Sequence, residues 1–139
     1  MSFWLFKSEP DAWSWDQQVA KGAAGEEWTG VRNYQARNNM RAMKPGDLGF
    51  FYHSNIGKEM VGIVEVIRES APDSTTEDPR WDCVVIKAVK PLNRPVSLDE
   101  VKADPKLAEM ALVKSTRLSV QPVTPEEWAY ILKLSGTEA

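Results

Sequence analysis

One cysteine, Cys83, and one histidine, His53, occur among the 139 residues. A disulfide framework is thereby excluded, and so is a zinc site of the ordinary Cys/His kind, which leaves only carboxylates for any metal. No apolar run, Phe3 to Phe6 and Val84 to Ile86 included, approaches the roughly 20 residues of a membrane-spanning helix. The start of the chain lacks the basic segment, long apolar stretch and cleavage site of a signal peptide, so a cytoplasmic location is expected and no membrane partner. Phosphate loops, dinucleotide fingerprints, a strand-turn-helix elbow around a serine and paired-histidine helices are missing as well. No cofactor is expected. Cys83 stands beside Val84, Val85 and Ile86, where a thiol reads as a small buried hydrophobe.

What is present describes a globular chain: 42% hydrophobic and 27% charged residues, with a formal net charge of -3, sized for a single domain over residues 1–139 around one core. Tryptophan is the abundant residue, at positions 4, 13, 15, 28, 81 and 128. Trp is large enough to fill a core and flat enough to serve as a stacking surface. Trp4 and Trp128, with Phe50, are expected in the core. Trp28, flanked by Thr29, Gly30 and a basic stretch, is expected to border a cavity open to solvent.

Phe3–Phe6 reads as a short strand buried on both faces, stopped by Pro10. Ser14 with Gln17 forms a capping-box pattern for a short helix closed by Gly22, and 22–27 reads as a loop. Asn33 is the next N-cap, opening a helix whose apolar stripe is Ala36, Met40 and Met43 and which ends at Lys44-Pro45-Gly46-Asp47. The runs 48–54 and 60–68 predict a β-hairpin across a five-residue connection. The polar segment 69–79 reads as a surface loop, 81–89 as a strand, and Pro91 and Pro95 as the brackets of a bend. Ser97 with Glu100, then Asp104-Pro105, open two short helical pieces. Segment 112–121 reads as a strand and Thr124-Pro125 opens a last helix carrying Trp128, Ile131 and Leu132, after which 135–139 is expected to fray. The sum is an α+β chain, a small mixed β-barrel with short helices packed around it.

Charge is unevenly placed. Between Trp28 and Gly46 stand Arg32, Arg37, Arg41 and Lys44 and no acidic residue. Arg37, Arg41 and Lys44 fall at spacings of four and three, along one helix face. Asn33, Gln35, Asn38 and Asn39 add amides, and Trp28 and Tyr34 add flat aromatic surface. Cations for phosphates, amides for base edges and aromatics for base faces form the inventory of a nucleic-acid site, against the plainer reading of a solvated helix face. Glu9, beside Lys7 and Ser8 at a strand end, could accept from an exocyclic amine such as cytosine N4, or simply pair with Lys7. His53 and Ser54 are strand neighbours whose side chains point to opposite faces, so they form no nucleophile–base pair.

Lys7-Ser8-Glu9-Pro10, the stretch from Trp28 to Asn38, Gly46-Asp47 with Phe51-Tyr52-His53-Ser54, and the stretch from Ser115 to Val123 together resemble the EVE domain, in order and over nearly the whole chain. That family belongs to the PUA-like group of small barrels, with YTH and ASCH domains as relatives. The resemblance implies a reader of modified bases, with a 5-modified cytosine in DNA as the leading ligand, RNA as the alternative, and nucleic acid carrying that base as the partner. It implies a pocket in which Lys7, Ser8 and Glu9 line one wall and Trp28 and Val31 an apolar side. Asn33, Tyr34 and Asn38 approach from the helix, Tyr52, His53 and Ser54 close the floor or rim, and Arg117, Leu118 and Ser119 lie near it. Phosphate contacts are expected from Arg32, Arg37, Arg41 and Lys44. In the related YTH readers a Lys-Ser pair and a later tryptophan frame a methylated base; Lys7-Ser8 and Trp28 stand in that order, and no second cage tryptophan stands at a matching place. A base-processing or hydrolytic enzyme using Glu9 or His53 is the competing reading.

Overall fold

In the computed structural model, which describes residues 1–138, strand β1 spans Phe3–Ser8 and is followed by helix α1, Trp15–Ala20, and the two-residue strand β2, Glu26–Glu27. Helix α2, Tyr34–Ala42, precedes β3, Leu48–His53, β4, Glu59–Pro72, and β5, Asp82–Ser97. Helices α3, Leu98–Ala103, and α4, Ala111–Lys114, strand β6, Val120–Val123, and helix α5, Pro125–Ser135, complete the chain. One six-stranded sheet runs in the order β2-β5-β4-β3-β1-β6, antiparallel except for the parallel pair β1 and β3. The expected barrel is thus an open mixed sheet: β2 and β6 are its two edges.

Both faces of the sheet are covered, which is why its strands read as continuous apolar runs. Alternation along β1 sends Trp4 and Phe6 to one face and Leu5 to the other. The first face carries Trp15 of α1, Trp28 and Val31 of the segment after β2, and Ala36 and Met40 of α2. The second carries Val101, Leu112, Trp128 and Ile131 of α3, α4 and α5. On it Trp128 stacks between Phe3 and Phe50, at 4.6 and 4.2 Å between ring centroids. Trp4, Trp128 and Phe50 are buried. Trp15 lies so close to Gly62 that any Cβ there would collide with its ring.

The local signals at helix starts hold. Ser14 and Thr124 form complete capping boxes with Gln17 and Glu127, and the side chains of Asn33, Ser97 and Asp104 cap their helical turns. Four strand assignments change. The expected loop 22–27 ends in β2, which pairs with Val85 and Ile86. The expected loop 69–79 begins only after Pro72, because β4 continues in register with β5 as far as Ala71–Cys83 and Pro72–Asp82. Strand β5 runs through Pro91 and Pro95; β2 pairs only with Val85 and Ile86, so these prolines remove no partner's bond on that side. The expected strand 112–121 is instead the short α4, a turn and β6. The buried Gln121 amide donates to the carbonyls of Ala111, Ser115 and Leu118 and holds that turn. The tail is docked rather than frayed: Thr137 Oγ1 accepts from the Asn93 N–H at 2.8 Å, and Ser135 is buried. Ala139 lies outside the described residues.

Asp47 ties the start of the chain to the sheet. Its carboxylate accepts from the Trp4 indole N–H at 3.1 Å and from the N–H groups of Lys44 and Ser2 at 3.0 and 3.1 Å. Burial would raise its pKa, but these donors outweigh burial and hold it below the usual carboxylate value. Asp47→Ala leaves a buried indole donor without a partner and is expected to lower the unfolding free energy by about 2 to 4 kcal/mol, measured by urea titration.

Candidate functional site

A cavity of about 450 Å³ opens at the end of β1, on the first face of the sheet. Three segments meet there. The strand end supplies Lys7, Ser8 and Glu9, the turn after it Ala12 and Trp13, and the chain after β2 the stretch from Trp28 to Arg32, with Ser119 closing beside β6. The turn is tight because the N–H groups of Ala12 and Trp13 both donate to the Glu9 carbonyl, at 2.9 Å, while Ser8 Oγ donates to the Trp13 carbonyl at 2.5 Å. Trp13 is thereby folded back over the strand end. On the other side, Lys7 N–H donates to the Ser119 carbonyl at 2.9 Å.

Both indoles are held from behind. Trp28 packs edge-to-face with Phe6 and Phe51, at 5.5 and 5.8 Å, and its backbone N–H donates to the Val84 carbonyl. Trp13 Nε1 donates to Gln18 Oε1 at 2.9 Å, and the fully buried Gln18 amide donates in turn to the Ile86 carbonyl at 3.1 Å. The wall from Trp28 to Arg32 is fixed by Asp73. Its Oδ2 accepts from the Gly30 N–H at 2.9 Å and from Arg32 Nη1 at 3.2 Å, and its Oδ1 accepts from the N–H and hydroxyl of Thr75. Gly30 has φ +81°, a left-handed backbone that suits glycine.

Lys7 Nζ donates to the Thr116 carbonyl at 2.8 Å, and burial pushes its pKa down. Glu9 Oε1 accepts from the Asn55 amide at 2.8 Å, and no Lys7–Glu9 ion pair forms among the described residues. Glu26 and Glu27 line the β2 side, paired with Lys21 and Arg68 at 3.4 and 4.0 Å. The result is a slot with aromatic walls and, at one end, an ammonium, a hydroxyl and a carboxylate: surfaces for the face and the hydrogen-bonding edge of a flat heterocycle. Nothing in it is arranged as a nucleophile with a base. Cys83 is buried within β5, its thiol pushed up to about 11 by burial. Among the described residues no group of three His, Cys, Asp or Glu side chains could hold a metal, and no helix is long and apolar enough to cross a membrane.

The profile of the EVE domain family matches residues 2–134. The chain belongs to the EVE domain family. Mouse thymocyte nuclear protein 1 is 36% identical over 169 residues, covering 99% of this chain and 75% of that protein. A crystal structure of a protein from Agrobacterium tumefaciens is 63% identical, with a TM-score of 0.97 over 99% of this chain and 94% of that one. The crystal structure of the human THYN1 protein in complex with 5-methylcytosine containing DNA is 34% identical, with a TM-score of 0.92 over 100% of both chains.

Of the residues that the sequence nominated for a base pocket, Lys7, Ser8, Glu9, Trp28, Val31 and Ser119 border the cavity, and Arg32, expected at phosphates, joins them. The others lie elsewhere. Tyr52 alternates with Phe51 and is buried in the second core, since neighbouring strand residues cannot share a face. His53 Nε2 accepts from the Trp15 N–H at 3.0 Å, which makes it a structural acceptor, and the Ser54 N–H donates to the Ser8 carbonyl. Asn33 Oδ1 caps α2, and Asn38 Oδ1 accepts from Arg37. Tyr34 stacks on Trp81 at 5.1 Å, with the Arg37 guanidinium over its ring and Arg80 donating to its hydroxyl. Arg117 and Leu118 line a separate groove. Half of the basic strip is paired within the chain: Arg32 with Asp73, Arg41 with Asp82. Arg37 and Lys44 form no ion pair among the described residues.

Trp13 is the second tryptophan that the sequence left unplaced. Its one available signal was the turn-forming Glu9-Pro10-Asp11-Ala12, which brings the chain straight back. Asp73, Gln18, Glu26 and Glu27 carried no signal, since each acts through tertiary contacts.

Two outcomes test these supports. The donors around Asp73 outweigh its burial and hold its pKa at about 2, against 3.8 for a free side chain. Its stabilisation is therefore present above pH 3.8 and lost as pH falls through 2, so Asp73→Asn should cost about 2 kcal/mol at pH 7. That gap to the parent, followed by denaturant titration, should close at the acid end. For His53, burial lowers the pKa from 6.5, with Glu59 and Asp16 opposing. The stability it contributes is present above pH 6.5 and falls below it; His53→Gln should flatten that slope between pH 7 and 5.

Proposed function

We propose that the cavity binds one base turned out of a DNA strand, a cytosine modified at position 5, and that the chain is a reader rather than a catalyst. The observation that carries this is the pairing of Trp13 and Trp28 on one cavity with Lys7, Ser8 and Glu9 at its end. Support comes from the related human THYN1 protein, described in complex with 5-methylcytosine containing DNA.

The chemistry follows from cytosine's edge. Its exocyclic amine donates and its ring nitrogen and carbonyl accept. Glu9, whose Oε1 holds Asn55, keeps acceptor capacity for the amine, as does Ser8 Oγ, whose one hydrogen goes to the Trp13 carbonyl, while the Lys7 ammonium, with one N–H on Thr116, keeps two as donors. The methyl group would meet apolar surface from Trp28 and Val31. Extruding the base costs a few kcal/mol, which stacking on the indoles at about 1 to 3 kcal/mol per base and the edge contacts offset. Phosphates of the strand meet Arg37 and Lys44, the strip cations without a carboxylate partner. A hydrolytic role for His53 loses its ground because that side chain is away from the cavity and committed to Trp15.

Trp28 is 8% exposed and part of the first core, so its removal disturbs folding as well as binding. Trp13→Ala is the cleaner variant. It should weaken binding to a single-stranded oligonucleotide carrying 5-methylcytosine by about 1 to 3 kcal/mol, with a much smaller loss for plain cytosine and an unchanged salt slope. Arg37→Ala should weaken both oligonucleotides alike and lower the salt slope by about 1. A folded Trp13→Ala protein with full discrimination between the two would overturn the assignment.

A further inference from the structure

Beside the cavity lies a second concavity of about 290 Å³, lined by Asn33, Gln35, Ser115, Thr116, Arg117 and Leu118. The two are lined by neighbouring residues of the same two segments. Arg32 borders the cavity and Asn33 the groove; Ser119 borders the cavity and Leu118 the groove. Each step is one residue, about 3.8 Å between Cα atoms, shorter than the reach of a nucleotide. Lys7 belongs to the cavity, yet its ammonium donates to the carbonyl of Thr116 in the groove wall.

Charge distinguishes the ways out of the cavity. Toward β2 its rim carries Glu26 and Glu27, whereas none of the six groove residues is acidic. Arg117 is exposed and forms no ion pair among the described residues, in contrast to Arg32 and Arg41. Gln35 is exposed, and Asn33 commits only its oxygen to the helix cap, leaving its amide N–H groups to donate. The groove is also preformed, since the buried Gln121 amide holds the carbonyls of Ser115 and Leu118.

Resting on the cavity reading above, we propose that this groove is the subsite for the DNA nucleotide adjoining the modified base: Arg117 meets the phosphate between the two, and the Asn33 and Gln35 amides contact the neighbour's base edge. The Gln35 amide presents donor and acceptor side by side in one plane and the Asn33 amide adds N–H donors, a pattern that suits a base edge and distinguishes among bases. The subsite therefore adds affinity and a preference for sequence context, which the cavity alone does not provide.

The test uses the full chain with 5-methyldeoxycytidine monophosphate and with trinucleotides carrying 5-methylcytosine at the centre and each of the four bases on either side. The trinucleotides should bind more tightly than the monophosphate. One side should show a preference of about fivefold or more among neighbours, and backbone amide NMR signals of Gln35 and Arg117 should move with the trinucleotide only. Gln35→Ala should flatten that preference while discrimination between methylated and plain cytosine persists. Arg117→Ala should lower the trinucleotide's salt slope by about 1. If discrimination persists but both variants behave as the parent and no neighbour is preferred, the groove assignment is overturned and the cavity reading stands. Loss of all discrimination in the parent overturns both.

Discussion

The first face of this molecule depends on one strand that is hydrogen-bonded on both edges and covered on both sides. β1 is held by β3 in parallel and by β6 in the opposite direction, so where its pairing ends the chain has no sheet left to follow. It must turn out of the plane at Pro10. That forced exit puts three polar side chains at the rim and returns Trp13 over them, while the neighbouring ends of β3 and β6 hold the backbone of Ser8 and Lys7. The cavity is thus a by-product of where a buried strand stops, and its floor has the rigidity of the core beneath.

Around that floor the walls are secured by buried polar side chains that bridge distant segments. Asp73 and Gln18 each gather donors or acceptors from parts of the chain far apart in sequence, as Asp47 does at the opposite end of β1. Apolar packing alone would tolerate small slips of these segments. A carboxylate with several donors does not, because displacement leaves buried hydrogen-bonding groups unmatched. Orientation of the two indoles follows from this arrangement as much as from ring contacts.

Local chemistry made four of the five helices legible: a serine, asparagine or threonine cap marks the starts of α1, α2, α3 and α5, whereas α4 has no side-chain cap and Ser74 with Glu77 fits the pattern without starting a helix. The hairpin of β3 and β4 was equally plain from aromatic and β-branched runs. The extension of β4 and β5 was hidden because residues 69–72 and the prolines of β5 have poor strand propensity; Ala71, Pro72 and Pro91 each lie opposite a partner residue, and Glu69, Ser70 and Pro95 fall at irregularities of the same ladder. The same limit governs the cavity. Lys7, Ser8, Glu9 and Trp28 were visible through motif order, whereas Tyr52 was misplaced because a run of consecutive motif residues on a strand necessarily divides between two faces. Asp73 and Gln18 have meaning only once the segments they join have met.

The pairing of Arg32 with Asp73 and Arg41 with Asp82 bears on how such a domain would behave in a crowd of unmodified DNA. Attraction to any duplex grows with the number of phosphates a protein can neutralise, and guanidinium groups already matched to carboxylates contribute little to that count. With a net charge of -3, background adhesion to DNA would be low and dwell time on ordinary sequence short. A reader built this way would rely on how well one extruded base fits, because competing sites far outnumber true ones and would otherwise hold most of the protein.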